Sequence, residues 1–248
     1  MGISASLVVS LLVAAGAHAV AAELAESHRG RALAAAAPTW QRAYDYLCDG
    51  KDRVFNAESD PLIQPHWLFD DLGVIGDRGT VLYVLKTADG VVLFDTGYAS
   101  KTPAVLVDGL KTLGIDPKLI KTVLISHGHP DHFGGAAYLQ NTVGPNIWAG
   151  AADWPAIMAS GVRRGGEAVD GGVIEQGGVP VRTFAVPGHT PGSLAFIFPV
   201  HDHGRRHMAA LMGGLILGLE RASPEILNQY IASLGRLRAA SQAANVDV

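Results

Sequence analysis

From Leu72 onward the chain alternates short apolar runs with turn sequences. Leu72–Ile75, Val81–Leu85 and Val91–Phe94 are parted by Gly76-Asp77-Arg78-Gly79 and by Ala88-Asp89-Gly90. Aliphatic runs this short, bounded by Gly and Asp, predict strands joined by tight turns. Apolar residues then recur at helical spacing from Pro103 to Leu113 and stop at Gly114, a residue suited to end a helix. Lys121–Ser126 and Asn146–Ala149 read as strands, Phe133–Gln140 and Ala151–Ala159 as short helices. Gly161–Gly172, rich in glycine and charge, predicts a mobile surface loop. Val179–Val186 and Leu194–Phe198 predict strands either side of Pro187-Gly-His-Thr-Pro-Gly-Ser193, and Met208–Met212 another. Ser223 and Pro224 are in order for the cap and first turn of a last helix, with Ile226, Tyr230, Leu234 and Leu237 facing a core.

Strands outnumber helices and come in two batches, each with helices after it. This pattern predicts an α/β (α+β) architecture of two packed sheets with helices outside. Histidine-bearing loops fall at strand ends in both batches, which places a site between the two sheets' edges.

The N-terminal part differs. MGISASLVVSLLVAAGAHAVAA has no charged side chain before Glu23, an apolar run at Leu7–Ala15, and small residues at Ala17-His18-Ala19. Residues 1–19 are expected to be a removed export signal, giving a periplasmic or secreted protein without stable membrane insertion. The content of Ala, Gly, Ser and His fits an uncleaved anchor less well. Residues 20–60 follow as an alanine-rich helical segment, broken near Pro38, and a connector; 61–248 form the main domain. At the far end Val246-Asp247-Val248 reads like the opening of a buried strand that would continue past Val248.

Composition narrows the function. With 48% apolar residues and a net charge of −4, the chain lacks the basic face that nucleic acid requires and suits a small-molecule substrate. Nothing in the pattern specifies an oligomeric state. Cys48 is the only cysteine, so neither a thiolate zinc site nor an internal disulfide can form within the chain.

Histidine and aspartate are concentrated instead in SHGHPDHFGG, residues 126–135. His127 and His129, two apart in a segment leaving a strand, can turn their rings to one side and grip one ion. Gly128 between them removes a side chain that would crowd that approach. Asp131 and His132, past the bend at Pro130, can face a second position. Three imidazoles leave zinc its full charge and one open position, where water falls to a pKa near 7. His189, in the tight turn Pro187–Gly192, is the best third ligand. Asp95, ending the apolar strand in Val91-Val-Leu-Phe-Asp-Thr-Gly97, is placed to orient a ligand histidine by hydrogen bonding. His201, His203 and His207 in HDHGRRH are read as an exposed hairpin tip. Zinc is the expectation from imidazole-rich ligation, although iron or manganese would suit the same cage.

FDTG, HGHPDH and GHTPG, in this order from about Pro65 onward, resemble the metallo-β-lactamase superfamily. The resemblance implies an αββα four-layer sandwich with a mono- or dizinc hydrolase site at one edge. It implies His127, His129 and His189 for the first zinc, and Asp131 with His132 for the second. Many relatives carry a metal-bridging aspartate on the next strand; here Met208-Ala-Ala-Leu-Met-Gly-Gly214 has glycines instead. That departure is most similar to the third β-lactamase subclass, whose second zinc takes Asp, His and a later histidine. The expected function is β-lactam ring opening by zinc-bound hydroxide, with Asp131 orienting the nucleophile. A lactonase or thioesterase of the same fold, or a metal-binding homologue without turnover, are the alternatives.

Overall fold

The computed structural model describes residues 23–36, 38, 41–49, 58–215 and 222–248. The predicted export signal, residues 1–19, lies outside them. Two compact units divide at Phe55/Asn56. In the first, helix α1 (residues 23–36) and helix α2 (Gln41–Leu47) are separated around Pro38, where the sequence predicts a break.

The second unit, Asn56–Val248, holds two sheets. The first has seven strands in chain order: β1 (His66–Trp67), β2 (Leu72–Gly76), β3 (Val81–Thr87), β4 (Gly90–Phe94), β5 (Ile120–Leu124), β6 (Asn146–Ala149) and β7 (Gly166–Glu167). β1 to β4 run antiparallel; β4 to β7 run parallel. The second sheet is antiparallel, built from β8 (Val173–Gln176), β9 (Val179–Ala185), β10 (Leu194–Asp202) and β11 (Arg205–Met212) in the order β11-β10-β9-β8.

Three apolar layers explain why β4 and β10 are apolar throughout instead of alternating. In β4, Val91 and Leu93 point to one core and Val92 and Phe94 to another. The first core lies under helix α3 (Pro103–Gly109, wound in wide π-type turns, then Leu110–Thr112), α5 (Ala136–Thr142) and α6 (Trp154–Ala159). The second fills the space between the sheets, where Phe94 stacks on Phe198 with centroids 4.7 Å apart. β10 repeats the division: Phe196 and Phe198 face the other sheet, while Ala195 and Ile197 face helix α7 (Pro224–Ala243) through Leu237 and Ala240. Buried on both faces, each central strand reads as an unbroken apolar run. The result is an αββα sandwich.

Several local expectations are corrected. The single helix at Phe133–Gln140 is two, α4 (Pro130–Phe133) and α5. A side chain at Gly134 would place its Cβ 2.4 Å from the Ala99 nitrogen, so the chain passes closely over the turn Ala99–Lys101 where the two helices meet. Gly161–Gly172 is no free loop. It carries β7 paired to β6, buries Val162 and Ala168, and accepts a hydrogen bond from Trp154 Nε1 at Gly166 O (3.2 Å). β8 has no apolar signature in the sequence, since only Ile174 of its four residues is buried. On α7, Tyr230 faces inward as expected but Ile226 is 39% exposed. Of the hairpin histidines only His203 is exposed at the tip; His201 Nδ1 lies 2.7 Å from Asp71 and His207 Nδ1 2.8 Å from Asp247. Residues 246–248 run beside β11, with Val248 N donating to Met208 O and Ala210 N to Val248 O, the pattern of a parallel pair.

Candidate metal centre

β5 ends at Leu124, and the chain bends at residues 127–129 before Pro130 starts α4. In that bend His127 and His129 converge, ring centroids 4.9 Å apart. The loop between β9 and β10 brings His189 to them from the second sheet. Its ring lies 4.5 Å from that of His127 and 4.6 Å from that of His129, and the Nε2 atoms of His189 and His127 are 3.1 Å apart. One nitrogen from each of the three lies within 4.8 Å of the others. Three ring nitrogens this close, one from each residue, can share one cation.

Asp131 and His132 sit in the first turn of α4, with Asp131 Oδ2 3.2 Å from His132 Nε2. Thr80 Oγ1 donates to the same Oδ2 at 3.2 Å. The other ring nitrogen, His132 Nδ1, meets Asp95 Oδ2 at 2.7 Å. Asp95 also accepts from Ser126 N and Ser126 Oγ, both at 2.7 Å. It holds this position with φ of 62°, a left-handed backbone that Asp tolerates better than most residues. The orienting role expected of Asp95 thus falls on His132.

Electrostatics divides the histidines. Burial, reinforced by His132, His189 and His129, pushes the pKa of His127 down to about 2, so it stays neutral with a lone pair to offer. Burial acts downward on His132 as well, but Asp95 and Asp131 overcome it and raise the pKa to about 10. The pair of carboxylates therefore attracts positive charge to the His132 side of the site. Three converging imidazoles, with His127 held neutral, and a carboxylate-flanked ring beside them form a donor set that fits divalent zinc.

The five residues expected as ligands lie together, the ring of His132 being 3.8 Å from that of His127 and Asp131 beside His132. Asp153 was not foreseen. It is 4% exposed, and its carboxylate accepts from Gly128 N, Thr190 Oγ1 and Gly192 N. No motif marks it, because in sequence it is one aspartate in an alanine-rich turn. It adds to the reading of Gly128: a Cβ there would stand 2.9 Å from Asp153 Cβ, so the glycine makes room for that residue. Beyond β11, a Cβ at Gly213 would lie 2.4 Å from Ser126 Cβ, and one at Gly214 2.5 Å from His189 Cδ2. The glycines at the bridging position are pressed against the site itself.

The profile of the metallo-beta-lactamase superfamily matches residues 75–203. Among curated proteins, lactamase-like protein ptaB of Pestalotiopsis fici is 28% identical over 158 residues, 63% of this chain and 46% of that protein. The atrochrysone carboxyl ACP thioesterase of Aspergillus fumigatus is 28% identical over 167 residues, 65% of this chain and 47% of that one. The chain spans about half the length of these curated relatives. Among solved structures, BJP-1, a subclass B3 metallo-beta-lactamase of Bradyrhizobium japonicum, shares the fold with a TM-score of 0.62 at 24% identity, over 70% of this chain and 73% of that one. A profile match across more than half of the chain, laid over an αββα sandwich whose histidines converge at one edge, makes this chain a member of the metallo-beta-lactamase superfamily of metallo-hydrolases.

Proposed function

We propose that the protein is a zinc-dependent hydrolase that opens the ring of a β-lactam outside the cytoplasm. The observation that carries this reading is the convergence of His127, His129 and His189 beside the Asp131–His132 pair. His127, His129 and His189 would hold one ion, and Asp131 with His132 a second. When bound, such an ion polarises a carbonyl oxygen and lowers the pKa of coordinated water to near 7.

The chain's own residues supply orientation. Asp131, fixed by Thr80, presents a carboxylate where an attacking water can be aligned and its proton accepted. Asp95 and Ser126 lock the ring of His132. Gly213 and Gly214 support the β-lactam reading over ester hydrolysis, since neither brings a carboxylate to the position where many relatives bridge two metals. The fold likeness to a subclass B3 enzyme supports the same choice.

A thioester or lactone substrate is the second reading, favoured by the likeness to the Aspergillus thioesterase. Export rests on the apolar run Leu7–Ala15 ahead of Ala17-His18-Ala19. Among the described residues no helix is long and apolar enough to cross a membrane.

Purified protein assayed on nitrocefin and on a lactone, each with and without EDTA, tests the proposal. Chelator-sensitive nitrocefin turnover is the expected result. Lactone turnover alone would move the substrate to the second reading, and no turnover of either would leave metal binding without catalysis.

A further inference from the structure

We infer that Asp153 is the positioning residue that sets His189 against His127 and His129. Asp153 closes the turn Ala151–Asp153 and leads into α6, whose Trp154 and Ile157 are wholly buried in the first sheet's helical core. Its carboxylate is thus anchored on the first sheet's side. Oδ2 accepts from Gly128 N at 2.7 Å, between the first two histidines, and from Thr190 Oγ1 at 2.6 Å, next to the third. Oδ1 accepts from Gly192 N at 2.9 Å. One carboxylate therefore ties the loop after β5 to the loop between β9 and β10. These loops belong to different sheets; the other direct links near the site are Leu194 N donating to Ser126 O (2.8 Å), where β10 begins, and the contact of the His189 and His127 rings.

The surroundings are shaped for this contact. A Cβ at Gly128 would lie 2.9 Å from Asp153 Cβ, and one at Gly192 2.6 Å from Asp153 Cγ, so both loops approach the carboxylate where only glycine fits. Thr190 is itself held, its Oγ1 2.8 Å from Ser193 Oγ. Asp153 is not in the cluster of three imidazoles and acts through the backbones that carry them. Metal–nitrogen distances tolerate departures of only about 0.2 Å. A histidine arriving from a second sheet must therefore be fixed before the ion binds, or its ordering is charged against affinity. Three hydrogen bonds to one buried carboxylate supply that fixing in the folded, metal-free protein.

The inference rests on reading the three imidazoles as ligands of one ion, and the experiment separates the two. Chelator-stripped wild type, D153N, T190V and H189A are titrated with Zn2+ against a chromophoric chelator, and with Co2+ by visible absorption. Circular dichroism of the metal-free proteins reports folding. Asparagine keeps the shape of Asp153 but turns an NH2 group toward a donor, so D153N should bind Zn2+ about 10- to 100-fold more weakly, with an altered Co2+ spectrum and an unchanged metal-free spectrum. T190V removes one arm of the clamp and should weaken Zn2+ about tenfold. A folded D153N with wild-type affinity and Co2+ spectrum overturns the inference. If D153N fails to fold, T190V decides alone: weakened binding supports the clamp, wild-type binding overturns it. If H189A binds Zn2+ like wild type, the metal-centre reading itself fails. If H189A loses binding while D153N does not, only the clamp fails.

Discussion

Asp95 Oδ2 stands 2.7 Å from Nδ1 of His132, and the same carboxylate receives both the backbone N–H and the hydroxyl of Ser126. One buried aspartate at the end of β4 thereby sets both the ring of a candidate ligand and the start of the histidine loop. A metal-binding imidazole whose second nitrogen is bonded to a carboxylate has a fixed orientation and raised basicity.

Asp95 also adopts a left-handed backbone with φ of 62°. Asparagine tolerates that conformation, whereas alanine adds roughly 1–2 kcal/mol of backbone strain. Both variants lose the charge that pairs with His132, so both should melt below wild type and lose about 10- to 100-fold in metal affinity. D95A should melt lower than D95N by the backbone cost, and parallel melts with Zn2+ titrations would show the difference. A D95N protein with wild-type affinity would remove Asp95 from the centre.

Dialysis against EDTA should abolish hydrolysis and Zn2+ should restore it. The three imidazoles offer nitrogens within 4.8 Å of one another, whereas Asp131 and His132 form a pair. One equivalent of zinc should survive gel filtration in low-metal buffer and a second should not. Two retained equivalents, measured by elemental analysis, would contradict this.

Gly214 combines φ of 75° with a Cβ position 2.5 Å from His189 Cδ2. G214A should displace His189 and cost at least tenfold in metal affinity, in the range for disturbed ligand positioning. Gly178 has a similar φ of 78° with nothing within 4 Å. G178A should therefore show only the backbone cost of roughly 1–2 kcal/mol and bind metal normally. Equal affinity in the two variants would refute the packing argument.

The metal-free protein should show a stability maximum near the ordinary histidine pKa. His127 titrates at about 2 when folded, so between that pH and about 6.5 the unfolded chain binds the extra proton and stability rises with pH. His132 titrates at about 10 when folded, so from about 6.5 upward the folded chain holds the extra proton and stability falls through that window. Melting of chelator-stripped protein across the range would test this, and a monotonic profile through neutrality would refute it.

Much of the fold was legible because its signals are local. β4 and β10 appear as unbroken apolar runs since both their faces are buried, and Asn146–Ala149 stands out between turn residues. β8 and β7 were not legible. Ile174 is the one buried residue of β8, and Gly166 and Glu167 join the sheet through backbone bonds to β6. The same division runs through the site. His127, His129, Asp131 and His132 are neighbours whose spacing suggests a metal site, while Asp153 has no pattern around it and is seen only through its hydrogen bonds to Thr190 and Gly192.

The amino-acid order by itself marked the candidate donors and the apolar strand runs, because ligand spacing and runs bounded by turn residues are read over a few positions. Only the tertiary structure decided that His189 closes on His127 across 62 positions of chain, that Asp95 serves His132, and that a single carboxylate ties the loops together. Those relationships come from burying apolar faces between two sheets, and that packing brings distant segments into hydrogen-bond range irrespective of their local sequence.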